Sequence, residues 1–122
     1  MSKTILIVDD STSFRQVVSL ALKRAGYEVL EAGDGIEGLA RLDGQKVNLI
    51  ISDVNMPRMD GIQFVTQLKQ NPRYKFTPVI MLTTEDGSDR MQQGKAAGAK
   101  AWVVKPFRPP VLLDAVSKLI LP

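Results

Sequence analysis

The chain has 122 residues, 44% hydrophobic and 24% charged, with 16 Lys and Arg against 13 Asp and Glu for a net charge of +3. That length suits one domain with a single sheet-centred core and leaves no room for a second catalytic or DNA-binding module. No apolar run approaches the ~20 residues a spanning helix needs. With neither cysteine nor histidine, disulfides, thiolate nucleophiles, zinc-thiolate sites and imidazole chemistry are excluded, so any reaction must run on carboxylates, hydroxyls and lysine.

Five short apolar runs alternate with five helix-like segments, without internal repeats. The first run, Thr4 to Val8, follows Met1-Ser2-Lys3 with no signal-peptide pattern, so a cytoplasmic location is expected. Helix one is predicted from Phe14, Val17, Val18, Ala21 and Ala25 at helical spacing, with Ser11, Thr12 or Ser13 to cap it and Gly26 to end it. The second run, Glu28 to Ala32, carries two acids and suits a sheet edge. Helix two starts near Asp34 or Gly35 and is expected to bury Ile36, Leu39 and Ala40. The third run is Asn48 to Ser52. Helix three follows Gly61 and buries Phe64, Val65 and Leu68 before Asn71-Pro72 stops it. After the fourth run, Val79 to Thr83, helix four spans about Ser88 to Ala97. It is weakly anchored, since only Met91 and small residues face inward and Gly94 costs ~1 kcal/mol in mid-helix. The last run, Ala101 to Val104, leads to helix five, opened by Pro109 and Pro110, with Leu112 or Leu113, Val116, Leu119 and Ile120 inward.

This alternation, closed by right-handed crossovers, predicts a doubly wound α/β fold with a parallel sheet between helical layers. The first, third and fourth runs are almost continuously apolar, as strands buried on both faces must be. Ligands of such sheets gather beyond the carboxyl ends of the strands. Reading only those ends gives Asp9 and Asp10 after strand one, Asp53 after strand three, Thr83 after strand four and Lys105 after strand five. Three carboxylates brought together repel, so the site needs raised pKa values or a cation. An all-oxygen donor set favours magnesium, which leaves one carboxylate free to attack phosphorus, with Lys105 and Thr83 able to hold a transferred group. Each residue has an ordinary reading as well. The aspartate pair can cap helix one, Asp53 can begin a turn, Thr83 can be a strand residue and Lys105 a surface charge. Their coincidence at one sheet edge carries the signal.

Five segments together resemble the signature of response-regulator receiver domains: Ile5-Leu6-Ile7-Val8-Asp9-Asp10, Ser52-Asp53-Val54-Asn55-Met56-Pro57, Met59-Asp60-Gly61, Leu82-Thr83-Thr84 and Val103-Val104-Lys105-Pro106-Phe107. Within that family the chain is most similar to single-domain chemotaxis regulators of the CheY type, partly through Asn55-Met56-Pro57 and Thr83-Thr84-Glu85. The resemblance covers essentially the whole chain. It implies a flavodoxin-like sheet of order 2-1-3-4-5 in a single receiver domain spanning residues 1–122, without an output domain. It further implies that Asp53 accepts the phosphoryl group, and that Asp10, Asp53 and the Asn55 carbonyl bind magnesium directly while Asp9 helps through water. Thr83 and Lys105 would bind phosphoryl oxygens, and Thr83 with Trp102 would form the switch. The implied partners are a histidine kinase as donor and a protein target on the helix 4, strand 5, helix 5 face, with the chain a monomer or weak dimer. Such a domain is a switch rather than a turnover enzyme.

Two positions depart from the family pattern. Thr84 stands where Ala or Gly is usual and is expected to narrow the approach to Asp53, and Trp102 replaces the usual Tyr or Phe. The Lys105-Pro106 bond resembles the family's cis peptide. Two other readings compete. Gly33-Asp34-Gly35-Ile36-Glu37-Gly38 matches the G-x-G-x-x-G of dinucleotide-binding domains, but Asp34 would face the pyrophosphate with a carboxylate. A haloacid-dehalogenase-like phosphatase would also use Asp, Thr, Lys and magnesium, but it expects Asp-x-Asp after strand one. No nucleic-acid partner is expected, because the basic residues are scattered among acids without a helix-turn-helix or zinc pattern, and no membrane association is expected either.

Overall fold

A computed structural model describes residues 2–83, 88–105 and 108–121, with the backbone alone for 88–90. The expectations placed on Thr84, Glu85, Phe107 and the Lys105-Pro106 bond fall outside those residues. Strands β1 (Thr4–Val8), β2 (Glu28–Ala32), β3 (Leu49–Asp53), β4 (Val79–Thr83) and β5 (Ala101–Val104) alternate with helices α1 (Thr12–Arg24), α2 (Gly35–Leu42), α3 (Gly61–Lys69), α4 (Ser88–Ala97) and α5 (Pro109–Leu119). All neighbouring strands run parallel, in the order β2-β1-β3-β4-β5. The edge position of β2 is as its two acids indicated.

Period-two alternation splits the sheet's apolar side chains between two cores. Leu6, Val8, Ile50, Val79 and Met81 pack with Leu42 of α2 and with Phe64, Val65 and Leu68 of α3. Ile5, Ile7, Leu49, Ile51, Ile80 and Leu82 pack on the opposite face with Val18 and Leu22 of α1 and Leu112 and Val116 of α5. The side chains of β1, β3 and β4 are almost wholly inaccessible, so these strands form a rigid base for whatever their ends carry.

Three expectations need correction. β3 runs one residue later than Asn48 to Ser52: Asn48 stands just before it, tied to β1 by its backbone N–H on the Thr4 carbonyl and by its carboxamide oxygen, which accepts the Thr4 N–H. In α1, Val17 is 60% exposed and Ala25 is exposed, while Leu22 is fully buried. Apolar residues surround much of that helix, and the sheet selects the Val18–Leu22 stripe. In α2, Ile36 and Ala40 face solvent, and the buried positions are Gly35, Gly38 and Leu42. A Cβ on Gly38 would lie 3.0 Å from the Phe64 ring and 3.1 Å from Val8, so α2 approaches the sheet closely at Gly38, with Leu42 of the same stripe entering the core. Ser11 caps α1 by accepting the Phe14 N–H, and Gly26 leaves the helix at φ +98.

Candidate functional site

The strand register decides which residues meet. Val8 lies opposite Ser52, Asp53 opposite Leu82, and Thr83 opposite Val104, so the residues at or just past these ends share one edge of the sheet. Asp53 and Thr83 are the last residues of their strands, and the Lys105 N–H donates to the Thr83 carbonyl at 2.6 Å. Among the described residues, carboxylate oxygens of Asp9, Asp10 and Asp53 all lie within 4.8 Å of one another.

Each acid has a different environment. Asp9 is fully buried and well held: one carboxylate oxygen accepts the Ser11 N–H at 2.9 Å and the other pairs with Lys105 Nζ at 2.9 Å. The Arg15 guanidinium donates to its backbone carbonyl at 2.6 Å. Asp9 therefore supports the turn without being the cap of α1. Asp10 is exposed. Asp53 is 8% exposed; its Oδ1 accepts its neighbour Val54's N–H at 2.8 Å, and its Oδ2 lies 3.5 Å from Lys105 Nζ. Burial pushes the Asp53 carboxyl up to about 6. Lys105 opposes the rise, Asp9 and Asp10 add to it, and the Val54 hydrogen bond works against it.

Lys105 is thus shared between two acids, and its ammonium sits 4.0 Å from the centre of the Phe14 ring. This cation–π contact gives the lysine a third partner beside the two acids. Phe14 was legible in the sequence only as an apolar helix residue. Gly61 was also quoted without a role. A Cβ there would lie 2.0 Å from the Asp53 carbonyl oxygen, and its N–H donates to the Val54 carbonyl at 2.7 Å. Only glycine lets α3 begin so close beneath Asp53. Thr83 is fully buried at the end of β4, and Asn55 stands exposed in the β3–α3 loop, two residues beyond Asp53. Trp102 is half-buried on β5, on the sheet face that packs against α3 and α4.

The glycine-rich segment after β2 has a structural task. Asp34 caps α2 by accepting the Glu37 N–H at 2.9 Å, and its other oxygen pairs with Arg58. That backbone hydrogen bond, helped by Arg58, holds the Asp34 carboxyl below its ordinary range despite burial. Its charge occupies the helix start that a pyrophosphate would need, which removes the dinucleotide reading.

The cluster suits a hard cation: its donors are all oxygen, one acid is open to solvent, and one has its pKa raised by burial and by like charge. These three carboxylates can therefore hold a metal ion. No described helix is long and apolar enough to cross a membrane.

Comparison with known proteins points the same way. Chemotaxis protein CheY1 of Helicobacter pylori is 38% identical over 118 residues, covering 95% of each chain. Protein PilG of Pseudomonas aeruginosa is 37% identical over 113 residues, 93% of this chain and 84% of that one. The solved structure of chemotaxis protein CheY4 of Vibrio cholerae superposes with a TM-score of 0.94 at 48% identity, covering 98% of this chain and 100% of that one. Residues 5–117 match the response regulator receiver domain, and with the acids of β1 and β3 and the lysine after β5 gathered at one sheet edge, the chain belongs to that family.

Proposed function

We propose that this protein is a phosphorylation-dependent signalling switch that accepts a phosphoryl group on Asp53 from a histidine kinase. The reading rests on one observation above all: a buried carboxylate with a raised pKa at the sheet edge, facing two further acids and a lysine. In the transfer, the bond from phosphorus to the donor nitrogen breaks as a bond to an Asp53 oxygen forms, and the departing imidazole keeps the electron pair. Lys105, already between Asp9 and Asp53, neutralises charge on the phosphoryl oxygens, and the Thr83 hydroxyl donates to them. Asp10, Asp53 and the Asn55 carbonyl would hold magnesium, with Asp9 assisting through water. The ion, when bound, screens the acids and the phosphoryl oxygens from one another.

The output is docking. The face of α4, β5 and α5 would carry it to a protein target, with the chain acting as a cytoplasmic monomer or weak dimer of one receiver domain. Similarity to CheY1 and CheY4 favours chemotaxis as the setting. The protein would assist its own phosphorylation and dephosphorylation without turning over a substrate. A haloacid-dehalogenase-like phosphatase is disfavoured, because the best-placed nucleophile follows β3 and not β1.

Incubation with acetyl phosphate and magnesium, followed by intact mass measurement, should give one hydroxylamine-labile adduct per chain. Asp53→Asn should give none. A full-strength labile adduct on that variant would overturn the assignment of Asp53, and turnover in large excess over protein would favour the phosphatase.

A further inference from the structure

Bases and acids are interspersed along the sequence, but the fold sorts them between its two ends. In a parallel sheet every strand begins at one edge, and each connecting helix returns to that edge with its carboxyl end. The helix ends bring Lys23 and Arg24 of α1 and Lys95 of α4, which a helix dipole favours by itself. The segments that enter the strands bring Lys3, Lys46, Arg73, Lys75 and Lys100, which no helix end accounts for. All of these but Lys3 are exposed, and among the described residues the acids at this edge are Glu28 and Asp43. Among the described residues, none of these bases is joined to an acid by an ion pair, whereas Arg15, Arg58 and Lys105 toward the other edge each are. The crowding of like charge is felt at Lys69, whose ammonium is held below its ordinary pKa by burial first and by Lys100 second.

One apolar side chain projects from the same edge. Phe76, in the segment before β4, is 79% exposed, and the Lys75 ammonium lies 5.7 Å from the centre of its ring. Beside them, Lys46 and Arg73 line a hollow together with Asn48 and Thr77.

We propose that this basic edge is a docking surface for an anionic lipid bilayer, with Phe76 entering the interface between headgroups and acyl chains. Charge complementarity sets the sign of the partner, and the breadth of the edge sets its shape. Five strands about 4.8 Å apart make the edge roughly 20 Å wide. That exceeds the Debye length of ~8 Å at physiological salt, so a narrow partner would meet only some of the bases and a broad one meets all. A single protruding aromatic suits a membrane interface, which one ring can enter. It lacks the succession of stacking rings that single-stranded nucleic acid uses. The carboxylates of Asp9, Asp10 and Asp53 gather at the opposite edge. An anionic surface repels them, so docking leaves that edge turned toward solvent. The surface stands independently of the phosphoryl-acceptor reading.

The test mixes the full chain with vesicles of phosphatidylcholine alone or of equimolar phosphatidylcholine and phosphatidylglycerol, and reads cosedimentation. At physiological salt the chain should bind the anionic vesicles tenfold or more tightly than the neutral ones, on the order of what a few bases supply, and high salt should release it. Arg73→Glu combined with Lys75→Glu should weaken binding by about tenfold or more, since each base near such a surface strengthens it by about fivefold. Phe76→Ala should weaken vesicle binding by about threefold or more and leave retention on heparin, a soluble polyanion, unchanged. Arg108→Glu, at an exposed position of the opposite edge without a side-chain cap bond, should leave vesicle binding unchanged. Circular dichroism and the acetyl phosphate adduct of each variant should match those of the wild type, because every position changed is exposed.

Equal binding to the two kinds of vesicle would overturn the proposal. So would an equal loss from Arg108→Glu, because net charge alone would then be responsible, or a Phe76→Ala variant that binds vesicles as the wild type does. Tighter binding to a single-stranded oligonucleotide than to anionic vesicles, weakened by Phe76→Ala, would overturn it in favour of nucleic acid. If the wild-type chain takes no adduct, the acceptor reading fails, and vesicle binding by the folded chain still decides the surface.

Discussion

At the scale of single residues, the site works because burial and charge are set against each other at Asp53. Burial is the largest influence on its carboxyl and Lys105 the next, and the balance leaves it near pH 6. The folded chain therefore holds a proton on Asp53 between about pH 4 and pH 6 where the unfolded chain has lost it, so this group's contribution falls as pH rises through that window. Without a metal ion, ionised Asp53 is a liability at neutral pH. Asp53→Asn should raise the stability of metal-free protein at pH 7.5 by on the order of 1 kcal/mol after allowance for solvent screening, about 4 °C in Tm. The gap from wild type should close near pH 4. Scanning calorimetry across that range checks it, and equal melting temperatures at pH 7.5 would mean that Asp53 is not strained. The candidate acids and Lys105 were legible in the sequence because strand ends are easy to locate in continuous apolar runs. Phe14 beneath Lys105 and Gly61 beneath Asp53 were not, because their roles depend on elements that meet only in three dimensions.

At the scale of elements, helix existence was legible, but the inward face was less so. In α1, Val17, Val18, Leu20, Ala21 and Leu22 crowd one and a half turns, and periodicity alone cannot choose the stripe. In α3 the apolar residues are fewer, and Phe64, Val65 and Leu68 are buried as expected. In α2 the expectation failed at Ile36 and Ala40 because the helix turns its Gly35, Gly38 and Leu42 stripe inward, with Gly38 in close approach to Val8 and Phe64. This makes an inverted mutational pattern. Gly38→Ala should destabilise by about 1–3 kcal/mol through overpacking against Phe64 and Val8, although alanine is the better helix former. Ile36→Ala, at a position 44% exposed, should change stability by no more than about 0.5 kcal/mol. Urea denaturation of the two variants would reveal the order, and a larger loss for Ile36→Ala would mean that α2 packs by its Ile36 face after all.

At the scale of the whole molecule, the sheet order and the placement of the site followed from the alternation of elements and from the family resemblance, while the mechanical contrast between its two sides did not. β1, β3 and β4 are sealed between both cores, and the Asn48 carboxamide links this central region further by accepting the Thr4 N–H and donating to the Leu121 carbonyl at the chain's other end. On one side, α1 and α5 close the second core with Val18, Leu22, Leu112 and Val116 buried. On the other side, α4 has only Gly94 fully covered among its described side-chain positions. Few buried apolar contacts mean that a segment can open without the rest. Native-state hydrogen exchange should therefore divide the fold by element. Amides of β3 and β4 should exchange only through global unfolding, with α1 and α5 close behind, whereas α4 should open locally at a free energy lower by about 2 kcal/mol or more. Low concentrations of denaturant should accelerate the β4 amides strongly and leave those of α4 nearly unchanged, because local opening exposes little new surface. If α4 instead shared the denaturant dependence of β4, it would be part of the rigid base, and output through its displacement would have to be abandoned in favour of a change confined to the strand ends.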